Sequence, residues 1–261
     1  MIKLLEPIHL IFAGDNHYDL KTEGIDRNID ISNAKQQAIK YAVELKESGV
    51  EVYFIEPGDI FHGVRPRAES IALAISDYKQ LDSEGIPTYL VAGNHDVIDE
   101  RGKTSALEPI IAAQFSMLNV YHDIELVKIR EGLNLITLPH ISKARAAEEG
   151  YKNVQEFIDH KSALIEKRLN PEEYNIVIGH LNITGATVGT EEFMIKGAHE
   201  DFPNVLRKSS KISYIFNGHY HKAQIISNPD GAPIIITGSI SINDFGERTE
   251  TKAFFDLEVE I

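Results

Sequence analysis

The sequence of 261 residues contains no cysteine and no tryptophan, and only three methionines. Without cysteine the chain has neither disulfides nor thiolate metal sites, so imidazole, carboxylate or amide groups must hold any metal ion. No apolar run reaches the length of a membrane span, roughly 20 residues. The apolar segment at the amino terminus is short and leads directly into an acidic motif, which indicates a strand rather than a signal peptide. We therefore expect no contact with membranes and, by default, a cytoplasmic location.

Positive charge is also scarce. Lysine and arginine number 26 against 40 aspartates and glutamates, which gives a net charge of −14 at pH 7. A free-standing nucleic-acid-binding protein usually has a basic surface, and this acidic excess disfavours tight, nonspecific DNA binding by the chain alone. A local positive site stays compatible with the composition, because bound divalent cations change the field around them.

The first half of the chain alternates strand and helix patterns. Apolar runs at residues 8–13, 50–55 and 88–92 are typical of buried strands. Apolar residues at helical spacing lie between them, at 31–45 and 71–78. This order predicts a largely parallel sheet covered by helices.

The second half is richer in strands. Strands are predicted at 133–138, 175–179, 213–218, 223–227, 233–237 and 253–259, with one helix at about 153–168. Because these strands are short and close together, we expect antiparallel pairing among them. The two halves together predict a two-sheet α/β sandwich.

Five polar clusters each follow an apolar run directly. They are GDNH (14–17), GDIFH (58–62), GNHD (93–96), GH (179–180) and GHYH (218–221), and they contain six of the 11 histidines. Because ligands gather at the carboxyl ends of strands in open α/β sheets, the fold can bring these clusters together. Any single cluster can be explained by a purely structural role, such as a turn or an Asx-type loop. Their joint occurrence favours a metal site.

The clusters offer a coherent set of metal ligands. The candidates are Asp15, His17, Asp59, Asn94, His180, His219 and His221. Seven ligands are too many for one tetrahedral ion and suit two ions that share a carboxylate. Mixed oxygen and nitrogen ligands favour manganese, iron or zinc over calcium or magnesium. If GHYH is extended, His219 and His221 face the same side and Tyr220 faces away.

The ordered set D-x-H, GDxxH, GNHD, GH and GHxH resembles the calcineurin-like metallophosphoesterases over nearly the whole chain. This resemblance implies a four-layer α/β/β/α sandwich of two mixed sheets flanked by helices. It also implies a ligand map, in which one metal is held by Asp15, His17, Asp59 and His221, and the other by Asp59, Asn94, His180 and His219. In the same map, His95 is the general acid or stabilises the transition state, and Asp96 orients His95.

A narrower resemblance points to the SbcD-type nuclease subunits of the double-strand-break repair complex. It rests on GDIFHGVRP, on IPTYLVAGNHD and on the GS…DFGE…K pattern near the carboxyl end. It implies a DNA exonuclease or endonuclease of repair or recombination, with a metal-bridging hydroxide as nucleophile and His62 on the phosphodiester. It further implies DNA, an SMC-like ATPase of the SbcC type and a symmetric homodimer as partners.

The sequence departs from those nucleases because it stops after the last predicted core strand, and its acidic balance is also unusual for a DNA enzyme. We therefore expect a single domain over residues 1–261 without a capping or ATPase-binding segment, from either a minimal family member or a shortened chain. Candidate DNA contacts lie beside the clusters, at Arg65, Arg67, Arg101 and Lys103, with solvated surface charge as the alternative.

Two other functions stay open at this point. One is a small-molecule or nucleotide phosphoesterase with the same metal site, for which the negative charge is less awkward. The other is a noncatalytic scaffold, which the complete set of seven ligands and His95 argues against.

Overall fold

Two mixed β-sheets pack face to face at the centre of the fold. They are seen in a computed structural model that describes residues 7–98, 105–189 and 200–261. The spatial order of the first sheet is β13 (Phe255–Glu260), β1 (Pro7–Phe12), β4 (Glu51–Glu56), β5 (Thr88–Val91) and β6 (Leu118–Tyr121). That of the second is β11 (Gln224–Ile226), β12 (Ile234–Ile236), β10 (Tyr214–Asn217), β9 (Tyr174–Gly179), β8 (Leu133–Leu138) and β7 (Glu125–Arg130). A small hairpin joins β2 (Lys21–Thr22) and β3 (Ile25–Asp26).

Helices cover the outer faces of both sheets. They are α1 (Asn28–Glu47), α2 (Ala68–Ser83), α3 (Glu108–Ala112), α4 (Lys143–Glu148), α5 (Val154–Glu166) and α6 (Asn204–Arg207), with a 3₁₀ turn at Phe245–Glu247. Strand alternation divides the core: Leu10 and Phe12 of β1 face the second sheet, whereas Ile11 packs with the helices of the first. Phe12 stacks on Phe216 of the opposite sheet. The predicted four-layer arrangement of two mixed sheets flanked by helices is confirmed.

Strand direction agrees with the prediction in the first sheet and differs in the second. The strands β1, β4, β5 and β6 are parallel, and β13 joins β1 antiparallel. In the second sheet, the prediction of antiparallel pairing is wrong for β8, β9, β10 and β12, which are all parallel neighbours. Among the described strands of this sheet, only the edge strands β7 and β11 pair antiparallel. Long crossovers, one of which contains α4 and α5, return the chain to the same end of the sheet before each central strand begins.

A buried ion pair supports the ends of β1 and β4. The Nζ of Lys35, on α1, lies 2.8 Å from Oε1 of Glu56, and both side chains are fully buried. The amide of Asn16 donates to the same carboxylate oxygen at 2.8 Å. Because Asn16 belongs to GDNH and Glu56 ends the strand before GDIFH, this pair fixes one cluster against the other.

We expect Lys35→Met to lower the free energy of unfolding by about 3–5 kcal/mol, because it leaves Glu56 buried without its cation. Urea unfolding followed by circular dichroism measures the change. Lys40→Met is the matched control on the same helix, because Lys40 is exposed and forms a loose ion pair with Glu44 at 3.7 Å. This substitution should change the free energy of unfolding by less than about 0.5 kcal/mol. A loss below about 1 kcal/mol for Lys35→Met would contradict the assigned role of the pair.

Candidate metal centre

The strands β1, β4, β5, β9 and β10 end at the same side of the molecule and bring the five polar clusters together. Backbone hydrogen bonds join the clusters: Asp15 N donates to the Gly58 carbonyl at 3.2 Å, and His17 N to the Asp59 carbonyl at 3.0 Å. Gly218 N likewise donates to the Gly179 carbonyl at 2.9 Å. All seven candidate ligands therefore lie around one centre, as the positions of the clusters predict.

Asp59 lies at the middle of this centre. Its Oδ2 is 3.7 Å from His17 Nε2 and 3.2 Å from His180 Nε2. Burial alone would raise the pKa of Asp59, but the imidazoles of His180 and His95 outweigh it and hold the pKa well below its usual range. Asp59 is thus a buried anion with an imidazole on either side.

One half of the centre contains Asp15, His17 and His221. The Nε2 atoms of His17 and His221 face each other at 3.0 Å, so they cannot both carry a proton. Asp15 accepts a hydrogen bond from His219 N at 2.8 Å through Oδ1, while its buried Oδ2 has no hydrogen-bond partner among the described residues. Burial raises the pKa of Asp15 to about 7 and lowers that of His17. Both shifts follow from burial, which disfavours the charged form of each side chain.

The other half is built around Asn94. Its Oδ1 lies 3.1 Å from His180 Nε2 and 3.0 Å from His219 Nδ1. The other ring nitrogen of His180 donates to the Pro57 carbonyl at 2.6 Å, which turns Nε2 inward. Burial opposes protonation of His180, but the carboxylates of Asp59 and Asp15 outweigh it and raise the pKa to about 9.

Backbone conformation is unusual at this centre. Asp15, His17, Asp59 and His219 all have positive φ, at 47°, 55°, 53° and 76°. Residues other than glycine rarely adopt this region, and where they do so together they often mark a functional site. The value at His219 also corrects one premise, because GHYH is not extended there. His219 meets Asn94 and His221 meets His17, so the two rings serve different halves of the centre.

Two glycines let neighbouring clusters approach. Gly58 has φ of 98°, and a Cβ there would lie 2.3 Å from His180 Nδ1. A Cβ on Gly93 would lie 2.1 Å from Asp59 Oδ1 and 2.4 Å from Asp59 N. Because those contacts include backbone, no side-chain rotation relieves them.

Gly93→Ala should displace Asp59 and lower the affinity for divalent cations at least about tenfold, the scale on which disturbed ligand positioning counts. We also expect a loss of about 1–3 kcal/mol in stability from overpacking. Isothermal titration with Mn²⁺ and urea unfolding measure the two effects. Gly63→Ala is the control, because no atom lies within 4 Å of the added carbon. Equal cation affinity in the two variants would contradict the prediction.

His95 and His62 lie beside the His17 face of the centre. His95 Nδ1 donates to the His62 carbonyl at 2.6 Å, and His95 N donates to Asp59 Oδ1 at 3.0 Å. The two rings stack with their centres 5.5 Å apart. Burial lowers the pKa of His62. His95 Nε2 is therefore the ring nitrogen left to meet a substrate.

Asp96 was predicted to orient His95, but its carboxylate contacts backbone amides instead. Its carboxylate accepts hydrogen bonds from the backbone amides of Gly93, Phe61 and Ile60, at 2.9, 3.1 and 3.3 Å. Burial raises its pKa to about 7. The bond that orients the His95 ring comes instead from the His62 carbonyl, so Asp96 acts by holding two loops together.

The candidate DNA contacts differ in how accessible their charges are. Arg65 is exposed on the loop that follows GDIFH. Arg67 forms ion pairs with Asp19 and, at 2.7 Å, with Asp26, so it is committed to carboxylates of its own chain. The other two, Arg101 and Lys103, lie outside the described residues.

Sequence reasoning missed three groups that touch the candidate ligands. Glu247 lies 2.9 Å from His221 Nδ1, and Lys252 lies 2.8 Å from Glu247. Burial opposes ionisation of Glu247, but His221 and Lys252 lower its pKa to about 2. Asn182 Oδ1 lies 3.2 Å from His219 Nε2. The Phe-Gly-Glu…Lys pattern was the available signal for the first two; nothing marked Asn182.

The donor set fits divalent cations. Within the described residues, two groups have ligand atoms that all lie within 4.8 Å of one another: Asp15 with Asp59 and His180, and His17 with His62 and His95. The second group differs from the ligand map that the family resemblance implies, so the map itself stays a prediction. The Oδ2 atom of Asp15 supports cation binding independently of the ligand distances. It is buried and has no hydrogen-bond partner among the described residues, which is energetically costly unless a cation binds it.

Comparisons with known proteins give a consistent result. The calcineurin-like phosphoesterase family matches residues 8–223. A DNA double-strand break repair protein Mre11 from Methanocaldococcus jannaschii is 25% identical over 259 residues, and the match covers 94% of this chain and 61% of the relative. Another Mre11, from Methanopyrus kandleri, is 33% identical over 64 residues, covering 24% of this chain and 14% of the relative. The chain thus spans under two thirds of the length of these relatives.

Solved structures support the fold alone. A dimetal phosphatase from Danio rerio superposes with a TM-score of 0.58 at 13% identity, covering 97% of this chain and 92% of that one. A second structure, the protein TT1561 from Thermus thermophilus, gives a TM-score of 0.51 at 11% identity, covering 92% and 91%. No helix in the described part of the chain is long and apolar enough to cross a membrane.

Proposed function

The chain belongs to the calcineurin-like phosphoesterase family, and from that premise we propose that it is a metal-dependent phosphodiesterase that cleaves DNA. The observation that carries the proposal is the position of Asp59. Its carboxylate lies between His17 and His180, one from each half of the centre. A carboxylate in this position can be shared by a pair of cations of the kind that two-metal phosphoesterases use.

The proposed ligands follow the two halves of the centre. Asp15, His17, Asp59 and His221 would hold one cation, and Asp59, Asn94, His180 and His219 the other. When bound, the cations supply positive charge to the phosphoryl oxygens and lower the pKa of a bound water molecule. Manganese suits this mixture of oxygen and imidazole donors, with iron or zinc as alternatives.

The chain's own residues then act on the phosphodiester. His95 donates a proton from Nε2 to the leaving oxygen, and its ring is held in place by the His62 carbonyl. His62 offers its own ring to the phosphoryl oxygens beside it. Asp96 keeps the loops of Asp59 and His95 together through backbone amides.

DNA is proposed as the substrate because the matched relatives are named as DNA double-strand break repair proteins. Arg65, exposed on the loop after His62, is the remaining described candidate for a phosphate contact. An SMC-like ATPase partner and a symmetric dimer belong to the same proposal. The net charge of −14 favours a second candidate, a phosphoesterase of nucleotides or other small molecules, since such a substrate needs no extended basic surface.

A substrate panel separates the two candidates. The purified protein is incubated with Mn²⁺ and single-stranded, blunt duplex, hairpin or closed circular DNA, and in parallel with nucleotides and bis(p-nitrophenyl) phosphate. Cleavage of DNA that is faster with free ends or hairpins supports the nuclease. Turnover of the small esters with every DNA form left intact would reject the nuclease in favour of the second candidate. Repeating the panel with Fe²⁺, Zn²⁺ and Mg²⁺ identifies the preferred cation.

A further inference from the structure

Glu247, in the segment after β12, contacts the candidate metal centre through its side chain, which meets His221. We propose that Glu247, clamped by Lys252, is a positioning residue that orients His221 and decides which ring nitrogen faces the centre. The inference rests on the proposed function, in which His221 is a metal ligand. It assigns a physical role to the Phe-Gly-Glu…Lys pattern near the carboxyl end of the chain.

Glu247 is fully buried and accepts hydrogen bonds from three directions. Its Oε2 accepts from Lys252 Nζ at 2.8 Å and from Asn243 N at 2.9 Å. Its Oε1 lies 2.9 Å from His221 Nδ1. An ammonium and a backbone amide can only donate, so Oε2 is fixed as an acceptor. The side chain therefore has no freedom to turn a different atom toward His221.

This arrangement selects the tautomer of His221. Because Oε1 of the carboxylate accepts, Nδ1 of His221 carries the proton and donates it to that oxygen. The lone pair is then on Nε2, which lies 3.0 Å from His17 Nε2 at the centre. A histidine must present a lone pair to bind a cation, and carboxylates behind such histidines commonly fix this orientation.

Lys252 holds the backbone of the same residue as well as its ring partner. Its Nζ donates to the His221 carbonyl at 3.0 Å and to Ser239 Oγ at 2.9 Å. Ser239 N donates to that same carbonyl at 3.0 Å. The ammonium of Lys252 thus joins the 3₁₀ turn, the segment after β12 and His221 into a single unit.

Glu247→Gln tests the proposal with almost no change of shape. Two donors, Lys252 and Asn243 N, compete for the single amide oxygen, so the amide nitrogen turns toward His221. That nitrogen donates to Nδ1 and drives the proton of His221 onto Nε2, where a cation would have to bind. We expect the ring ¹⁵N signals of His221, measured without metal, to switch from the Nδ1–H to the Nε2–H tautomer. Affinity for Mn²⁺ should fall about 10- to 100-fold at one of two sites.

Glu250→Gln is the matched control. Glu250 also pairs with Lys252, at 3.0 Å, and has no hydrogen bond to His221 among the described contacts. It should leave both the tautomer and the affinity for Mn²⁺ unchanged. If Glu247→Gln does not fold, the wild-type spectrum decides: Nδ1–H at His221 supports the proposal, and Nε2–H overturns it.

The outcomes keep this inference apart from the proposed function. Tight binding of Mn²⁺ by the wild type with an unchanged tautomer and affinity in Glu247→Gln overturns the inference and leaves the proposed function standing. Failure of the wild type to bind Mn²⁺ overturns the proposed function, while the tautomer in the metal-free protein still tests the position of the proton on His221.

Discussion

Asp59→Asn is expected to remove cation binding from both halves of the centre at once and to lower phosphodiesterase activity by about three orders of magnitude or more, the scale on which shared catalytic groups count. Asp59 is within 4 Å of an imidazole on either side. Asparagine loses the negative charge that the two proposed cations would share. It also tolerates the positive φ of 53° at this position, so the loop need not rearrange. Its amide oxygen can still accept the hydrogen bond from His95 N.

His221→Ala provides the contrast for Asp59→Asn. The ring of His221 meets His17, which belongs to one half of the centre, so loss of this ring should weaken one cation and leave the other bound. Metal analysis after equilibration with Mn²⁺ gives the stoichiometry. We expect two ions per chain in the wild type, one in His221→Ala and none in Asp59→Asn. Two tightly bound ions in Asp59→Asn would show that its carboxylate is not shared.

The location of the centre could be predicted because it depends on local rules. Each polar cluster follows an apolar run, and the carboxyl ends of neighbouring parallel strands share one edge. The parallel pairing of β8 with β9, by contrast, depends on the helical crossover between them, which brings β9 back alongside β8 in the same direction. Strand length and spacing carry no information about that choice, so the prediction of antiparallel pairing had no physical basis in the second half.

Contacts between distant clusters were also beyond the sequence. Asp96 is adjacent to His95, and adjacency suggested that one orients the other, yet the carboxylate binds amides across two loops. Glu247 lies 26 residues from His221 along the chain, with β11 and β12 between them, so their contact depends on the folded structure. The same holds for Lys35 and Glu56, whose burial follows from packing of α1 on the first sheet. The residue types of the polar clusters were enough to predict a site. The roles of the residues that support it depend on tertiary contacts, which the sequence does not reveal.

His95→Ala should separate chemistry from metal binding. We expect DNA cleavage to fall by about 10²- to 10⁴-fold, the range for loss of a general acid, with two Mn²⁺ ions still bound. The reason is geometric: the His95 ring is anchored by the His62 carbonyl, and its backbone amide, which alanine retains, is what contacts Asp59. His160→Ala, on the exposed face of α5, is the control and should cleave at the wild-type rate.

The leaving group distinguishes the two roles considered for His95. An acid that protonates the leaving oxygen matters less when that oxygen departs readily as an anion. His95→Ala should therefore hydrolyse bis(p-nitrophenyl) phosphate with a much smaller defect than it shows on DNA, by at least about tenfold. An equal defect on both substrates would mean that His95 instead stabilises charge on the phosphoryl oxygens, which every substrate shares. Loss of bound Mn²⁺ in this variant would contradict both roles, because neither the acid nor the stabiliser holds a cation.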